Sequence, residues 1–168
     1  SLAQQTWFVK RTQSLDMGEI HQIRDLTQLL TDKSAWEAAD HVYSHFMSEA
    51  PKGVSFAKVH KVVHLVRPSV FPILDSRLRS TYWTRQKALS DAGRLPGRDN
   101  WRRRTWIAIG EDLIAARADG ALTTLREAIA SHARRDSNSE PDADALERAD
   151  LLAGVSDLRL LDILTWKR

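Results

Sequence analysis

In the stretch VRPSVFPILDSRLRSTYW, residues 66–83, a single carboxylate, Asp75, follows an apolar loop bracketed by Pro68 and Pro72. Behind it come Arg77, Arg79, Tyr82 and Trp83. An aspartate placed just before a helix is first an N-cap, accepting a backbone N–H two or three residues on, which is worth about 1 kcal/mol. The helix N-terminus and the two arginines keep such a group ionised. An ionised carboxylate can also face an oxocarbenium-like sugar or orient a water. Capping and chemistry need the same charge state, so both readings of Asp75 stay open.

The preceding segment, SFAKVHKVVHLVR, places Lys58, Lys61, His64 and Arg67 three residues apart. On a helix these form one stripe, opposite Phe56, Val59, Val63 and Val66. The stripe reads either as a phosphate-facing surface or as an ordinary solvated face. His64 borders the apolar side, which favours a hydrogen-bonded structural role, and it stays in the anion-binding set. WRRRTW, residues 101–106, sets Arg102 and Trp106 four apart on one face, able to clamp a planar anion. The other reading packs the tryptophans in the core and leaves the arginines solvated. His41 and His45, like His60 and His64, are four apart, the spacing of a metal pair, but no H-E-x-x-H pattern accompanies either. No metal and no cofactor are expected.

Helices must position these groups. Asp16 is read as the cap of a helix over 17–30, and Thr31 or Asp32 as the cap of a second carrying Trp36, Ala39, Val42, Tyr43 and Phe46. A third runs from near Ser55 until Pro68 forbids its continuation. A fourth runs from Asp75 through Leu78, Tyr82 and Leu89 to Gly93. Later helices begin near Asp99 or Asn100 and at Ala121, and two short ones close the chain, the last capped by Ser156 with Leu158, Leu161, Ile163 and Trp166 on its apolar side. Residues 135–143, polar and turn-rich, are expected to form a mobile loop. Strand signals are weak throughout. The expected fold is all-α, a single domain over 1–168 of about seven or eight helices.

Composition limits the chemistry. The 168 residues contain no cysteine, which excludes disulfides, thiolate metal sites and cysteine nucleophiles. There is no phosphate-binding G-x-x-x-x-G-K-[ST] loop, no G-x-G-x-x-G and no nucleophile elbow. No apolar run reaches membrane-span length, and the opening SLAQQTWFVKRTQ lacks a signal-peptide core, so a cytoplasmic protein is expected. The formal charge of +3 hides an asymmetry: residues 51–110 hold 13 Lys and Arg against three acids, a net of +10, and the remainder nets −7. Such a block suits DNA or another polyanion.

Taken as one unit, PKGVSFAKVHKVVHLVRPSVFPILDSRLRS resembles the helix-hairpin-helix DNA glycosylases. In that family a hairpin glycine precedes a helix whose N-terminus meets backbone phosphate, and an aspartate follows about twenty residues later at the base pocket. The resemblance places these at Gly53, with Ser55 beyond it, and at Asp75. The lysine nucleophile of bifunctional members would fall near Ser55, so the likeness implies a monofunctional enzyme. The block K-x-x-H-x-x-R-P-x-x-x-P-I-x-D-S, Lys61 to Ser76, with the tail LRLLDILTW, is similar to an uncharacterised bacterial, largely actinobacterial, family.

The expectation is a nucleic-acid-binding protein with a helix-hairpin-helix-like central unit. Gly53, Ser55, Lys58, Lys61, His64, Arg67, Arg77, Arg79 and Arg102 would contact the backbone, Tyr82 and Trp83 would line a pocket, and glycosylase-like activity would fall to Asp75. Two alternatives stand beside it. One is a non-enzymatic module docking on an acidic protein partner. The other is an enzyme acting on a small anionic substrate clamped by Arg67, Arg77 and Trp83.

Overall fold

The computed structural model describes residues 2–95, 97, 100–135 (132–135 as backbone), 147, 151 and 154–165. The expected loop at 135–143 and Trp166 lie, apart from the backbone of Arg135, outside these. Among the described residues every regular element is helical and no strand occurs, as the all-α expectation required. No helix among them is long and apolar enough to cross a membrane. The chain divides into two compact units, Ser1–Glu111 and Asp112–Arg168.

The first unit opens with α1, Leu2–Gln13, which buries none of its residues. Phe8 leans on Phe46 at 6.4 Å between ring centroids. The single helix expected over 17–30 is instead two 3₁₀ helices, Gly18–Gln22 and Leu26–Leu30, separated by extended backbone at Ile23 and Asp25. The buried residues Ile20, Ile23, Leu26 and Leu29 are compatible with this arrangement. They recur every third residue, the period of a 3₁₀ helix rather than of an α-helix. Asp16, expected to cap the α-helix, accepts Gly18 N–H in a local turn at 2.9 Å. Asp25 accepts both the N–H and the hydroxyl of Thr27 and starts the second 3₁₀ element.

Helix α2, Lys33–Met47, is capped by Asp32, which accepts N–H bonds from Ser34 and Ala35. Hydrogen bonds from Gln28 first, then Ser34 and Ala35, lower the Asp32 carboxyl to about 2. Ala35, Ala39, Val42, Tyr43 and Phe46 form its buried face, the three- and four-residue spacing of an amphipathic helix. Helix α3, Phe56–Val66, packs against it and buries Val59, His60, Val63 and His64.

Pro68 ends α3, and the loop beyond it turns inward, with Val70, Phe71 and Leu74 fully buried. That loop is tied to the 3₁₀ segment by Leu26 N–H to Ser69 O at 3.0 Å and by the Ser69 hydroxyl to Arg24 O at 3.0 Å. The fourth expected helix is interrupted. Helix α4, Ser76–Thr81, gives way at Tyr82 (φ −89°, ψ 4°) to α5, Trp83–Asp91. Leu78, Tyr82, Gln86 and Leu89 nevertheless share one buried side across the break.

Helix α6, Trp101–Ala118, supplies the centre of the first unit's core. Trp106 is fully buried and meets Trp36, Tyr43, His60 and Phe71 edge-on, at 5.6–6.0 Å between centroids. Such edge-to-face contacts set the positive rim of one ring against the negative face of another.

The second unit contains the end of α6, α7 (Ala121–Arg135) and α8 (Asp157–Thr165). Ser156 accepts Arg159 N–H as the cap of α8 at 3.2 Å. Asp157 bridges Arg126 at 2.7 Å and Arg117 at 2.8 Å, holding α8 to its neighbours. Burial pushes the Asp157 carboxyl up, but the bonds from Arg126 and Arg117 outweigh it and hold the group below the ordinary range.

Candidate functional site

Asp75 caps α4: its Oδ1 accepts Leu78 N–H at 2.8 Å. The buried Pro72 and Leu74 immediately before it fix the chain's approach. Among the described residues its Oδ2 has no hydrogen-bond donor. The α4 residues Ser76, Arg79 and Ser80 follow at helical spacing on one face, and Trp83, at the start of α5, continues the stripe. With Phe56, at the start of α3, they line an open pocket of about 330 Å³.

The guanidinium of Arg79 lies 4.4 Å over the indole of Trp101 and 5.9 Å from the Phe56 ring. Among the described residues no carboxylate pairs with it. The Arg79 backbone carbonyl accepts from Gln86 Nε2 at 3.2 Å, which steadies α4 against α5. Trp83 is 58 % exposed, so its indole offers a face to solvent. The pocket thus combines two aromatic walls, a stacked cation with no carboxylate partner among the described residues, and two hydroxyls. It can hold a planar ring beside an anionic oxygen. Among the described residues no carboxylate lines it, so these walls supply no acid–base pair of their own.

An aromatic chain supports the pocket from behind. Trp101 meets Phe56 at 5.1 Å, and Phe56 meets His60 at 6.2 Å. His60 Nδ1–H donates to Phe56 O at 2.9 Å, and Nε2 accepts from Trp106 Nε1–H at 3.3 Å. Burial lowers this imidazole to about 3, with the Phe56 bond opposing and the Arg102 charge reinforcing the shift.

Arg102 finds its planar anion inside the chain. Its guanidinium lies 4.0 Å over Tyr43 and 4.6 Å over Trp106, and it pairs with Asp40. Arg103 takes the other Asp40 oxygen at 2.6 Å and lies 5.8 Å from the Trp36 ring. Burial pushes Asp40 up, but the bonds and charges of Arg103 and Arg102 hold it below the ordinary carboxylate range. Burial raises Tyr43 to about 12 against the charge of Arg102. The cation–aromatic pairing expected of Arg102 and Trp106 is present, and it serves the core.

The other sequence candidates are dispersed. His64 is buried, and its Nδ1–H donates to Phe71 O at 2.7 Å, the structural role its position suggested. Arg67 donates to Ile23 O and joins the end of α3 to the 3₁₀ segment. Gly53 takes φ +86°, in the left-handed region where a glycine is favoured. Lys58 folds back to Gly53 O and to Gln4 Oε1, both at 2.8 Å. Gln4 also donates to Lys52 O at 3.1 Å, so α1 sits on the α2–α3 turn. Ser55 precedes α3 without a side-chain cap bond. Lys61 and Arg77 are exposed. Tyr82, read as a pocket wall, is only 3 % exposed and belongs to the core. One residue per turn separates core from surface here: Tyr82 continues the buried side of Leu78, whereas Trp83 continues the side of Arg79.

Of the predicted residues, the pocket therefore gathers Arg79 and Trp83. The sequence reading missed Phe56 as a wall, and it missed Ser76, Ser80 and Trp101. The i, i+3, i+4, i+7 run of Ser76, Arg79, Ser80 and Trp83 is a visible signal. The Trp101 support, brought from 22 residues away, is not.

No curated protein and no solved structure matches the chain. The block from Lys61 to Ser76, the loop it forms and the helices that follow lie within a stretch matched by one family model. That match runs over residues 9–168, nearly the whole sequence, and the chain belongs to that family, DUF6308, a family of unknown function.

Proposed function

We propose that this protein binds nucleic acid at the pocket formed by Phe56, Ser76, Arg79, Ser80 and Trp83. The observation that carries the reading is the Arg79 guanidinium, stacked on Trp101 at the edge of an aromatic-walled pocket with no carboxylate partner among the described residues. A guanidinium already spread on an indole has little freedom left to lose when a phosphate oxygen arrives, and its planar fork suits that partner. Asp40 and Glu111, outside residues 51–110, pair with Arg85, Arg94, Arg102 and Arg103 of that +10 stretch, and its exposed Lys61, Arg77 and Lys87 support the same reading by attracting a polyanion.

Glycosylase-like chemistry is the catalytic extension of this proposal, and Asp75 is its bearer. It immediately precedes the pocket residue Ser76, spends one carboxylate oxygen on the α4 cap and keeps the other uncommitted among the described residues.

The test is anisotropy of a labelled oligonucleotide over a salt series. Binding should weaken as salt rises, and Arg79→Gln should bind less tightly and lower the log–log salt slope by about 0.7 to 0.9. No binding at low salt, or an unchanged slope in a folded Arg79→Gln protein, would overturn it.

A further inference from the structure

Resting on the nucleic-acid reading, we infer that the partner is single-stranded, with one unpaired base stacked on Trp83 and a neighbouring phosphate on Arg79. In a duplex the faces of the bases are covered by their neighbours, and only edges and phosphates are offered. The pocket is built for a face. Trp83 lines the pocket and is 58 % exposed, and Phe56 forms another wall. Burying that indole needs a flat, unstacked ring, which a single strand supplies at little cost.

The cation is placed for the same partner. Arg79 is held against Trp101 at 4.4 Å and lines the pocket, rather than extending from a flexible surface position. A phosphate contacted there must lie within reach of the stacked base, as it does when one nucleotide of a strand enters a pocket. Lys87, exposed and four residues beyond Trp83 on α5, stands one turn further along for the next phosphate. The hydroxyls of Ser76 and Ser80 can each donate or accept, so they would serve any of the bases. The expected ligand class is therefore a single strand of broad sequence, and the contacts are stacking plus phosphate rather than a base-specific code.

The experiment compares a labelled oligothymidine, a blunt duplex of the same length and thymidine monophosphate as competitor. It uses the full chain and its Trp83→Ala, Trp83→Phe and Arg79→Gln variants, with thermal melts to confirm folding. The strand should bind at least about tenfold more tightly than the duplex. Trp83→Ala should weaken strand binding about 5- to 150-fold, the range of base–aromatic stacking. It should leave any duplex binding unchanged, and Trp83→Phe should restore most of the loss. Equal affinity for strand and duplex, with both sensitive to Arg79, would overturn the stacking inference and leave the nucleic-acid reading standing. Strand binding unaffected by Trp83→Ala would also overturn it. Competition by the monophosphate as strong as by the strand would replace the strand with a free nucleotide. Binding to neither strand nor duplex would remove both proposals.

Discussion

Lowering the pH from about 7.5 to about 5 should destabilise the first unit through one side chain, His60. The ring is fully buried and meets both its hydrogen-bond partners only when neutral. Nδ1–H donates to the Phe56 carbonyl, and the lone pair of Nε2 accepts the Trp106 indole N–H. A second ring proton would point straight at that indole proton, inside a cage that also holds the Arg102 guanidinium over Trp106.

Burial accordingly lowers the folded imidazole from 6.5 to about 3. A group whose folded pKa is depressed contributes stability that is complete above the unfolded pKa and is lost as pH falls toward the folded one. At about pH 5 the unfolded ring, about 1.5 units below its midpoint, is protonated and the folded ring is not. At about 1.36 kcal/mol per unit the loss is about 2 kcal/mol, a large share of the roughly 5–15 kcal/mol that holds a domain together.

The assay is urea unfolding of the parent and of His60→Gln at both pH values. The glutamine side chain retains an acceptor for Trp106 and cannot titrate. The groups common to both proteins cancel in the comparison, so the parent should lose about 2 kcal/mol more than the variant. Equal losses would show that the folded imidazole accepts a proton, and the account of the Trp106–His60–Phe56 chain would be refuted.

Two further outcomes follow from the site's supports. Asp75→Ala should cost about 1 kcal/mol in urea unfolding through loss of the Leu78 N–H bond, and Asp75→Asn only a few tenths because asparagine caps equally well. A base-release assay on Asp75→Asn then reads chemistry apart from stability, and activity equal to the parent's would reduce Asp75 to a cap. Gly53→Ala places a Cβ 2.6 Å from Gln4 Nε2 at a φ of +86° and should lower stability by about 1–2 kcal/mol. Adding Gln4→Ala should relieve only the steric part, and full recovery would show that the backbone is not strained there.

Features that depend on near neighbours are legible in the amino-acid order. Asp32 and Asp75 cap helices because the N–H groups they accept lie three residues on or fewer. Pro68 ends α3 because its ring clashes with a helical conformation at the residue before it. The 17–30 segment misled because hydrophobic residues spaced by three fit either helical period over so short a run. Its choice was made by Asp25 and by the bonds that tie Ile23, Arg24 and Leu26 to Arg67 and Ser69 across more than 40 residues.

What the amino-acid order alone determined was the all-α character, the caps, the buried faces of α2 and α3 and the cationic middle third. What the tertiary structure decided was the employment of each cation. Arg67, Arg79 and Arg102 look alike in the chain, yet one bonds Ile23 O, one lies on Trp101 beside the pocket and one pairs with Asp40 between two rings. The physical reason is reach. An arginine side chain is long, its charge is permanent, and Ile23 O, Trp101 and Asp40 lie about 22 to 62 residues from the arginines they engage, so only the folded chain determines which guanidinium faces the pocket.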